Sequence, residues 1–214
     1  MSSSPSERSS GLIPPKLARE RDERAGGRLF IAIDVGDAVR AEVTRVVAEL
    51  GAKLEAVKTP PRLTWVKPAA LHLTLRFLGE TGDAEAARVR DALTAAIAIP
   101  PFDVEWRGLG AFPSHRHPRA LWMGVVRGAA QLGAVEAEIA QRLGAVDPEP
   151  RPFLPHLTIG RIKMAGQGAD WPKVLQAVEV RGVTSRADRV TLYRSELSHR
   201  GPHYTGLVSA ALRE

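Results

Sequence analysis

A short strand-like motif occurs twice in the chain, and this repetition restricts the folds that the sequence can adopt. LHLTL at 71–75 and PHLTI at 155–159 share His-Leu-Thr followed by an aliphatic residue. The two histidines are 84 positions apart (156 − 72), a separation that corresponds to roughly one lobe of this chain. Two copies of a strand motif at half-chain spacing predict two related lobes that face each other across a cleft.

The rest of the chain alternates between strand and helix patterns. Strands are expected at 28–35, 63–68, 71–79, 102–112, 119–126, 155–163, 178–197 and 203–212, and helices at 37–57, 84–99, 129–144 and 170–177. Strand pairs separated by helices predict an α+β fold rather than a doubly wound parallel sheet.

The N-terminal segment differs in composition from the remainder. Residues 1–27 are rich in Ser, Pro, Gly, Arg and Glu and contain few large apolar side chains. Such a segment cannot bury enough apolar surface to offset the entropy lost on ordering. We therefore predict a disordered tail over 1–27 and a single domain over 28–214.

Composition excludes several classes of site. The chain has no cysteine, so it contains no disulfide, zinc–thiolate site or cysteine nucleophile. No apolar run approaches the roughly 18 residues of a membrane span, and no hydrophobic signal core is present; a cytoplasmic location without membrane contact is expected. The formal charge of +6 and the pI of about 10.1 favour polyanionic partners such as nucleic acid or phosphorylated substrates.

Strand geometry brings the polar residues of each motif together. Side chains alternate between the two faces of a strand, so His72 and Thr74 share one face, and His156 and Thr158 share one face of the second copy. If these faces oppose each other, two imidazoles and two hydroxyls surround one space. A purely structural role for both histidines is the alternative, because a duplicated fold could retain them for packing.

This set of groups suits the hydrolysis of a phosphodiester. One neutral and one protonated imidazole can act as base and acid near neutral pH. Threonine hydroxyls and an arginine can stabilise the charge on the phosphoryl oxygens. Arg161 and Arg76 are the nearest arginines, but simple alternation turns Arg161 away from His156 unless the strand bends or bulges at Gly160. The scheme requires no metal.

Three aromatic residues are candidates to stack a nucleobase at the cleft, namely Phe30, Phe112 and Tyr204. For each of them, a position in the core is an equally good interpretation.

Longer segments around the motifs resemble a known family. They are RLFIAID from residue 28, WVKPAALHLTLRFLGE (65–80), LGAFPS (109–114), PRALWMGV (118–125), RPFLPHLTIGRIK (151–163) and SELSHRGPHYTGL (195–207). In these segments the chain resembles the 2H phosphoesterase superfamily, and more narrowly the RNA 2′,3′-cyclic phosphodiesterases, also called 2′-5′ RNA ligases. The two motifs within these flanks are a specific signal, whereas either motif alone is weak.

The resemblance implies a bilobal α+β fold, with two pseudo-symmetric lobes whose antiparallel sheets face a central basic cleft and whose helices lie outside. It implies hydrolysis of a 2′,3′-cyclic phosphate to a 2′-phosphate, with His72 as proton donor and His156 as proton acceptor. Thr74 and Thr158 then bind the phosphate. The expected partners are RNA with 2′,3′-cyclic phosphate ends or small cyclic nucleotides, and we expect a monomer without a cofactor. The residues themselves leave the acid and base assignment open.

Two other functions remain open at this point. The same site run in reverse would join a 2′,3′-cyclic end to a 5′-hydroxyl, and a related fold could bind nucleotides without turnover. Intact histidine and threonine in both motifs argue against a decayed site. The absence of a nucleotidylated-lysine motif and of a phosphate-cradling Gly-rich loop argues against an ATP-driven ligase.

Overall fold

The computed structural model describes residues 26–144, 152–198 and 201–214. Most of the tail predicted at 1–27 therefore lies outside the described residues. Gly26 and Gly27 are the exceptions, and Gly27 already belongs to the first strand.

Strands and helices alternate along the described chain. The strands are β1 (Gly27–Asp34), β2 (Arg62–Trp65), β3 (His72–Thr81), β4 (Ile97–Ala98), β5 (Phe102–Phe112), β6 (Ala120–Arg127), β7 (His156–Met164), β8 (Val183–Ala187), β9 (Arg189–Ser198) and β10 (Gly201–Arg213). The helices are α1 (Asp37–Glu55), α2 (Asp83–Ala92), α3 (Ala129–Leu143) and α4 (Trp171–Gln176), and a single 3₁₀ turn spans Pro68–Ala70. No helix in the described part of the chain is long and apolar enough to cross a membrane.

The strands form two five-stranded sheets. The first has the order β3-β1-β9-β10-β4, and the second has the order β2-β7-β6-β5-β8. All pairings are antiparallel except that of β4 with β10. Each sheet contains one copy of the motif, in β3 and in β7, so the predicted α+β fold with two sheets is confirmed.

The two sheets do not correspond to the two halves of the sequence. β2 belongs to the second sheet although it precedes β3, and β9 and β10 complete the first sheet although they lie at the C-terminal end. β9 pairs with β1 on one side and with β10 on the other. Each copy of the repeat therefore lies in its own sheet. The first sheet is completed by C-terminal strands, and the second sheet includes the N-terminal strand β2.

β1 shows how the two faces of the first sheet differ. Ile31 and Ile33 are buried in the main core, which continues into apolar side chains of the second sheet. Phe30 and Ala32 alternate to the opposite face, where they form a small cluster with Tyr193. One face of the sheet thus supplies the core, and the other is available to a site.

The prediction of a helix at 84–99 is wrong for residues 93–99, because α2 ends at Ala92. Arg142 of α3 donates to the carbonyl oxygens of Ala92, Ala95 and Ala96 at 3.3, 3.0 and 2.7 Å. These carbonyls are thereby satisfied by a side chain instead of by a continued helix. The chain is then free to form β4, which pairs in parallel with the end of β10.

Candidate active site

Both motif strands begin at their histidine, β3 at His72 and β7 at His156. The two strands approach each other although they belong to different sheets. All four motif side chains are partly buried, and we define the cleft as the space bounded by His72 and Thr74 on β3 and by His156 and Thr158 on β7.

Each histidine is held by the same local hydrogen bond. Nδ1 of His72 donates to the carbonyl oxygen of Ala70 at 2.8 Å, and Nδ1 of His156 donates to that of Leu154 at 2.7 Å. Because a carbonyl oxygen can only accept, this bond fixes the proton of the neutral ring on Nδ1. Nε2 of each ring is left with a lone pair for proton exchange.

Burial keeps both imidazoles neutral in the free protein. It lowers the pKa of His72 to about 4, with further lowering by the charges of Arg161 and Arg40, while the bond to Ala70 acts in the opposite direction. Burial likewise lowers the pKa of His156, and Arg161 adds to the effect. A bound phosphate would counter these positive charges and favour protonation of one ring.

A β-bulge follows each motif at the same position. Leu75 has no partner in the pairing of β3 with β1, and Ile159 has none in the pairing of β7 with β6. Both lie three residues after their histidine, and they are 84 positions apart (159 − 75), as are the histidines. An extra residue reverses the alternation of the side chains beyond it. Phe77 and Arg161, each five residues after a histidine, therefore return to the face of the motif.

The bulge brings Arg161 to the cleft, as the prediction of a bend at Gly160 required. Its charge lowers the pKa of His72 on β3, of His156 on its own strand and of Tyr204 on β10, although burial raises the pKa of Tyr204 overall. The charge of Arg161 therefore acts on residues of both sheets. A side chain at position 160 would approach Cε3 of Trp65 to 2.7 Å, which explains the glycine.

The structure places Arg76, which was predicted to bind phosphate, on a different face from the motif side chains. Arg76 lies opposite Ile31 of β1, so the two side chains share the core-facing side of the sheet. There Arg76 forms an ion pair with Glu136 of α3. The bulge at Leu75, which the sequence pattern did not signal, turns Arg76 away from the cleft.

Phe30 occupies the packed position that was the alternative to base stacking. Its ring stacks against His72 at 4.7 Å and against Tyr193 at 5.4 Å, and the residue is 1% exposed. Phe30 therefore packs beneath the ring of His72 and has no free face on which a nucleobase could stack. Tyr204 and Phe112 lie at the edges of the site, with ring centroids 5.2 Å from His72 and 4.9 Å from His156, respectively.

Phe77 is one of two aromatic residues that sequence reasoning missed. It lies opposite Phe30 on the cleft-facing side of the first sheet, 5.9 Å away between ring centroids, and it is 48% exposed. The guanidinium of Arg28 lies 5.7 Å from the centroid of the Phe77 ring. Without the bulge at Leu75, the alternation of side chains would turn Phe77 toward the helices, so the sequence pattern alone does not reveal it.

Trp122 of β6 was also missed. Its ring centroid lies 5.3 Å from that of Phe112 and 6.4 Å from that of His156. The indole crosses Gly110 of β5, where a β-carbon would lie 2.6 Å from Cε2 and closer still to two other ring atoms. Glycine at 110 therefore leaves space for the indole of Trp122 beside the second histidine. An isolated glycine in a strand pattern can signal such a close approach.

Among residues 26–144, 152–198 and 201–214, no group of three or more His, Asp or Glu side chains is placed to hold a metal ion.

A two-sheet α+β protein with a histidine and a threonine from each sheet at one cleft has the architecture expected of a two-histidine phosphoesterase. The family model of the 2′-5′ RNA ligase superfamily matches residues 35–198, and the chain belongs to this superfamily. The resemblance seen in the sequence is thereby confirmed.

The alignments with relatives extend over most of the chain. An RNA 2′,3′-cyclic phosphodiesterase of Methanothermobacter thermautotrophicus is 31% identical over 185 residues, which cover 84% of this chain and 96% of the relative. The protein of the same name from Thermotoga maritima is 30% identical over 180 residues, covering 83% and 91% of the two chains.

Solved structures show the same fold. TT0787 of Thermus thermophilus superposes with a TM-score of 0.62 at 30% identity, covering 87% of this chain and 98% of the other. The apo form of E. coli LigT superposes with a TM-score of 0.65 at 24% identity, covering 88% and 99%.

Proposed function

We propose that this chain hydrolyses the 2′,3′-cyclic phosphate ends of RNA and leaves a 2′-phosphate. The observation that carries the proposal is the pair of histidines at one cleft, each with its proton fixed on Nδ1 by a carbonyl and with Nε2 left for proton exchange. The names of the relatives, which span most of this chain, support the same reaction.

In the proposed mechanism, His156 and His72 act on opposite sides of the phosphorus. Nε2 of His156 takes a proton from water as the water oxygen forms a bond to phosphorus, and the bond from phosphorus to the ribose O3′ breaks. Protonated Nε2 of His72 gives its proton to the departing O3′. Exchange with solvent then restores the starting protonation. We adopt the donor and acceptor roles from the family resemblance.

The phosphate is held by Thr74 and Thr158 in this proposal. Each threonine is two residues after its histidine on the same strand face, so one hydroxyl from each sheet can donate to a phosphoryl oxygen. Arg161 contributes a positive charge that acts on both histidines. These groups stabilise the negative charge that grows on the oxygens in the transition state.

We further propose that the terminal nucleobase contacts Phe77 rather than Phe30. Phe77 is exposed beside the first motif, with Arg28 over its ring, and exposed aromatic faces stack bases of any sequence. Both motifs belong to one chain, so a single copy supplies the whole site, and we expect the enzyme to act as a monomer on RNA ends or small cyclic nucleotides.

A product analysis tests the proposal. A short RNA with a 2′,3′-cyclic phosphate is incubated with the protein, and the product is compared by chromatography with 2′-phosphate and 3′-phosphate standards. The proposal expects the 2′-phosphate. An unchanged RNA that nevertheless binds would identify a nucleotide-binding module. A longer product that appears only with a 5′-hydroxyl RNA would identify a ligase.

A further inference from the structure

An arginine that the proposed reaction does not use holds the turn before β3. Nη1 of Arg40, on α1, donates to the carbonyl oxygens of Pro68 at 2.6 Å and of Leu71 at 3.3 Å. Nη2 of Arg40 forms an ion pair with Asp34 at the end of β1. The side chain is 17% exposed. One guanidinium therefore joins α1, β1 and the turn.

This turn contains the carbonyl that orients the first histidine. Ala70, whose carbonyl accepts the Nδ1–H of His72 at 2.8 Å, lies between Pro68 and Leu71 in the chain. Arg40 thus fixes the backbone on both sides of Ala70. The backbone bond from the N–H of Leu71 to the carbonyl of Pro68 at 3.2 Å closes the same turn, and together these bonds restrict the direction of the Ala70 carbonyl.

The second motif achieves the same bond in a different way. Leu154, whose carbonyl accepts from His156 at 2.7 Å, has an exposed side chain. Pro155 directly precedes His156, and its ring restricts the backbone there. Leu71 occupies the equivalent position in the first motif (155 − 84). The first motif therefore has leucine in place of this proline, and Arg40 adds side-chain bonds to a turn that the backbone bond from Leu71 to Pro68 already closes.

We propose that Arg40 is a positioning residue for His72. It fixes the turn so that the Ala70 carbonyl keeps the imidazole proton on Nδ1 and Nε2 at the cleft. The inference rests on the proposed function, since this orientation affects turnover only if His72 exchanges a proton with the substrate. Outer partners that orient a histidine are worth on the order of 10- to 100-fold in activity at metal sites, and we expect the lower end here.

Other charged and titratable groups surround His72 and must be separated from the effect of Arg40. They are Asp34 on β1, Arg161 on β7, Tyr193 on β9 and Tyr204 on β10. Arg40→Lys keeps a positive charge near His72 but cannot donate to Asp34 and both carbonyls in the same planar geometry. It therefore separates orientation from electrostatics.

The experiment compares Arg40→Ala and Arg40→Lys with a matched control on the same helix. Arg45 also lies on α1, pairs with Glu42 and Glu49 and donates to the carbonyl of Glu179, but it does not contact the turn. Steady-state kinetics use a short RNA with a 2′,3′-cyclic phosphate. Nitrogen-15 NMR of the imidazoles reports which ring nitrogen carries the proton.

Both Arg40 variants are expected to lose roughly tenfold in kcat with KM within about twofold. The His72 signals should change from the Nδ1–H form to a mixture of tautomers, while those of His156 stay constant. Arg45→Ala should lower the melting temperature and leave kcat and both tautomers unchanged.

Two results would overturn the inference: an unchanged kcat and His72 tautomer in Arg40→Ala, or an equal loss of kcat in Arg45→Ala. If Arg40→Ala does not fold, Arg40→Lys alone decides by the same criteria. If the wild-type protein does not hydrolyse the RNA, the proposed function fails, and the NMR measurement still decides whether Arg40 orients His72.

Discussion

Replacing Gly110 by alanine should damage the second half of the site without touching a motif residue. The new methyl would lie 2.6 Å from Cε2 of Trp122 and closer to two other ring atoms. Carbon atoms need about 3.5 Å, so the ring atom nearest to the methyl must move by about 1.4 Å. Because Trp122 and Phe112 pack against each other and both contact His156, this movement reaches the second histidine.

The expected cost follows from that displacement. Overpacking of this kind destabilises a protein by about 1–3 kcal/mol, and a shift of about 1 Å at a group supporting the chemistry can cost about 10²-fold in rate. Thermal unfolding and kcat on a cyclic-phosphate RNA measure the two effects. Gly133→Ala is the control, because α3 leaves open space at Gly133 and alanine is a better helix former by about 1 kcal/mol.

A second variant shows whether the ring contact is the cause. Trp122→Phe presents a smaller ring, so the double variant Gly110→Ala/Trp122→Phe should recover part of the stability that Gly110→Ala loses, a non-additivity expected of residues in contact. Wild-type stability and turnover in Gly110→Ala would refute the reasoning, as would strict additivity in the double variant.

Three further predictions concern the motifs themselves. Thr74→Ala and Thr158→Ala should each lower kcat by about 10²-fold, the scale for losing one donor to a developing oxyanion, with melting temperatures close to that of the wild type; wild-type rates would remove these hydroxyls from the site. Activity should persist in excess EDTA, and a loss that a divalent ion restores would refute the two-histidine mechanism. Because the pKa of His72 falls from 6.5 in the unfolded chain to about 4 in the folded one, its contribution to stability is complete above about pH 6.5 and is lost as the pH falls toward about 4. Melting temperatures of the wild type should therefore fall more between pH 7 and pH 5 than those of His72→Asn, and parallel curves would contradict this.

The sequence predicted which faces the four motif side chains share because two short patterns contain all four residues. Alternation placed each threonine on the face of its histidine, and Gly160 after the second motif signalled the bend that brings Arg161 back. No glycine marks the bulge at Leu75. Simple alternation therefore predicted Arg76 on the cleft-facing side and Phe77 on the core-facing side, whereas the structure has them the other way round. A bulge depends on the pairing with β1, which a pattern along one strand does not contain.

Longer-range features were beyond sequence reasoning for a related reason. The bonds from Arg40 to the turn join residues 28 and 31 positions apart, and no local pattern links them. The exchange of β2, β9 and β10 between sheets likewise depends on which edges pair, whereas periodicity shows only that strands exist.

The proposed mechanism requires the two histidines to work as one unit. His72→Ala, His156→Ala and the double variant should be assayed side by side on an RNA with a 2′,3′-cyclic phosphate, with melting temperatures and RNA affinity measured in parallel. Each single variant should nearly abolish hydrolysis while RNA binding persists, and the double variant should lose little more. The wild type should show a bell-shaped dependence of kcat on pH whose limbs belong to the pair. Near-normal turnover in either folded single variant would make that histidine structural and contradict the central claim.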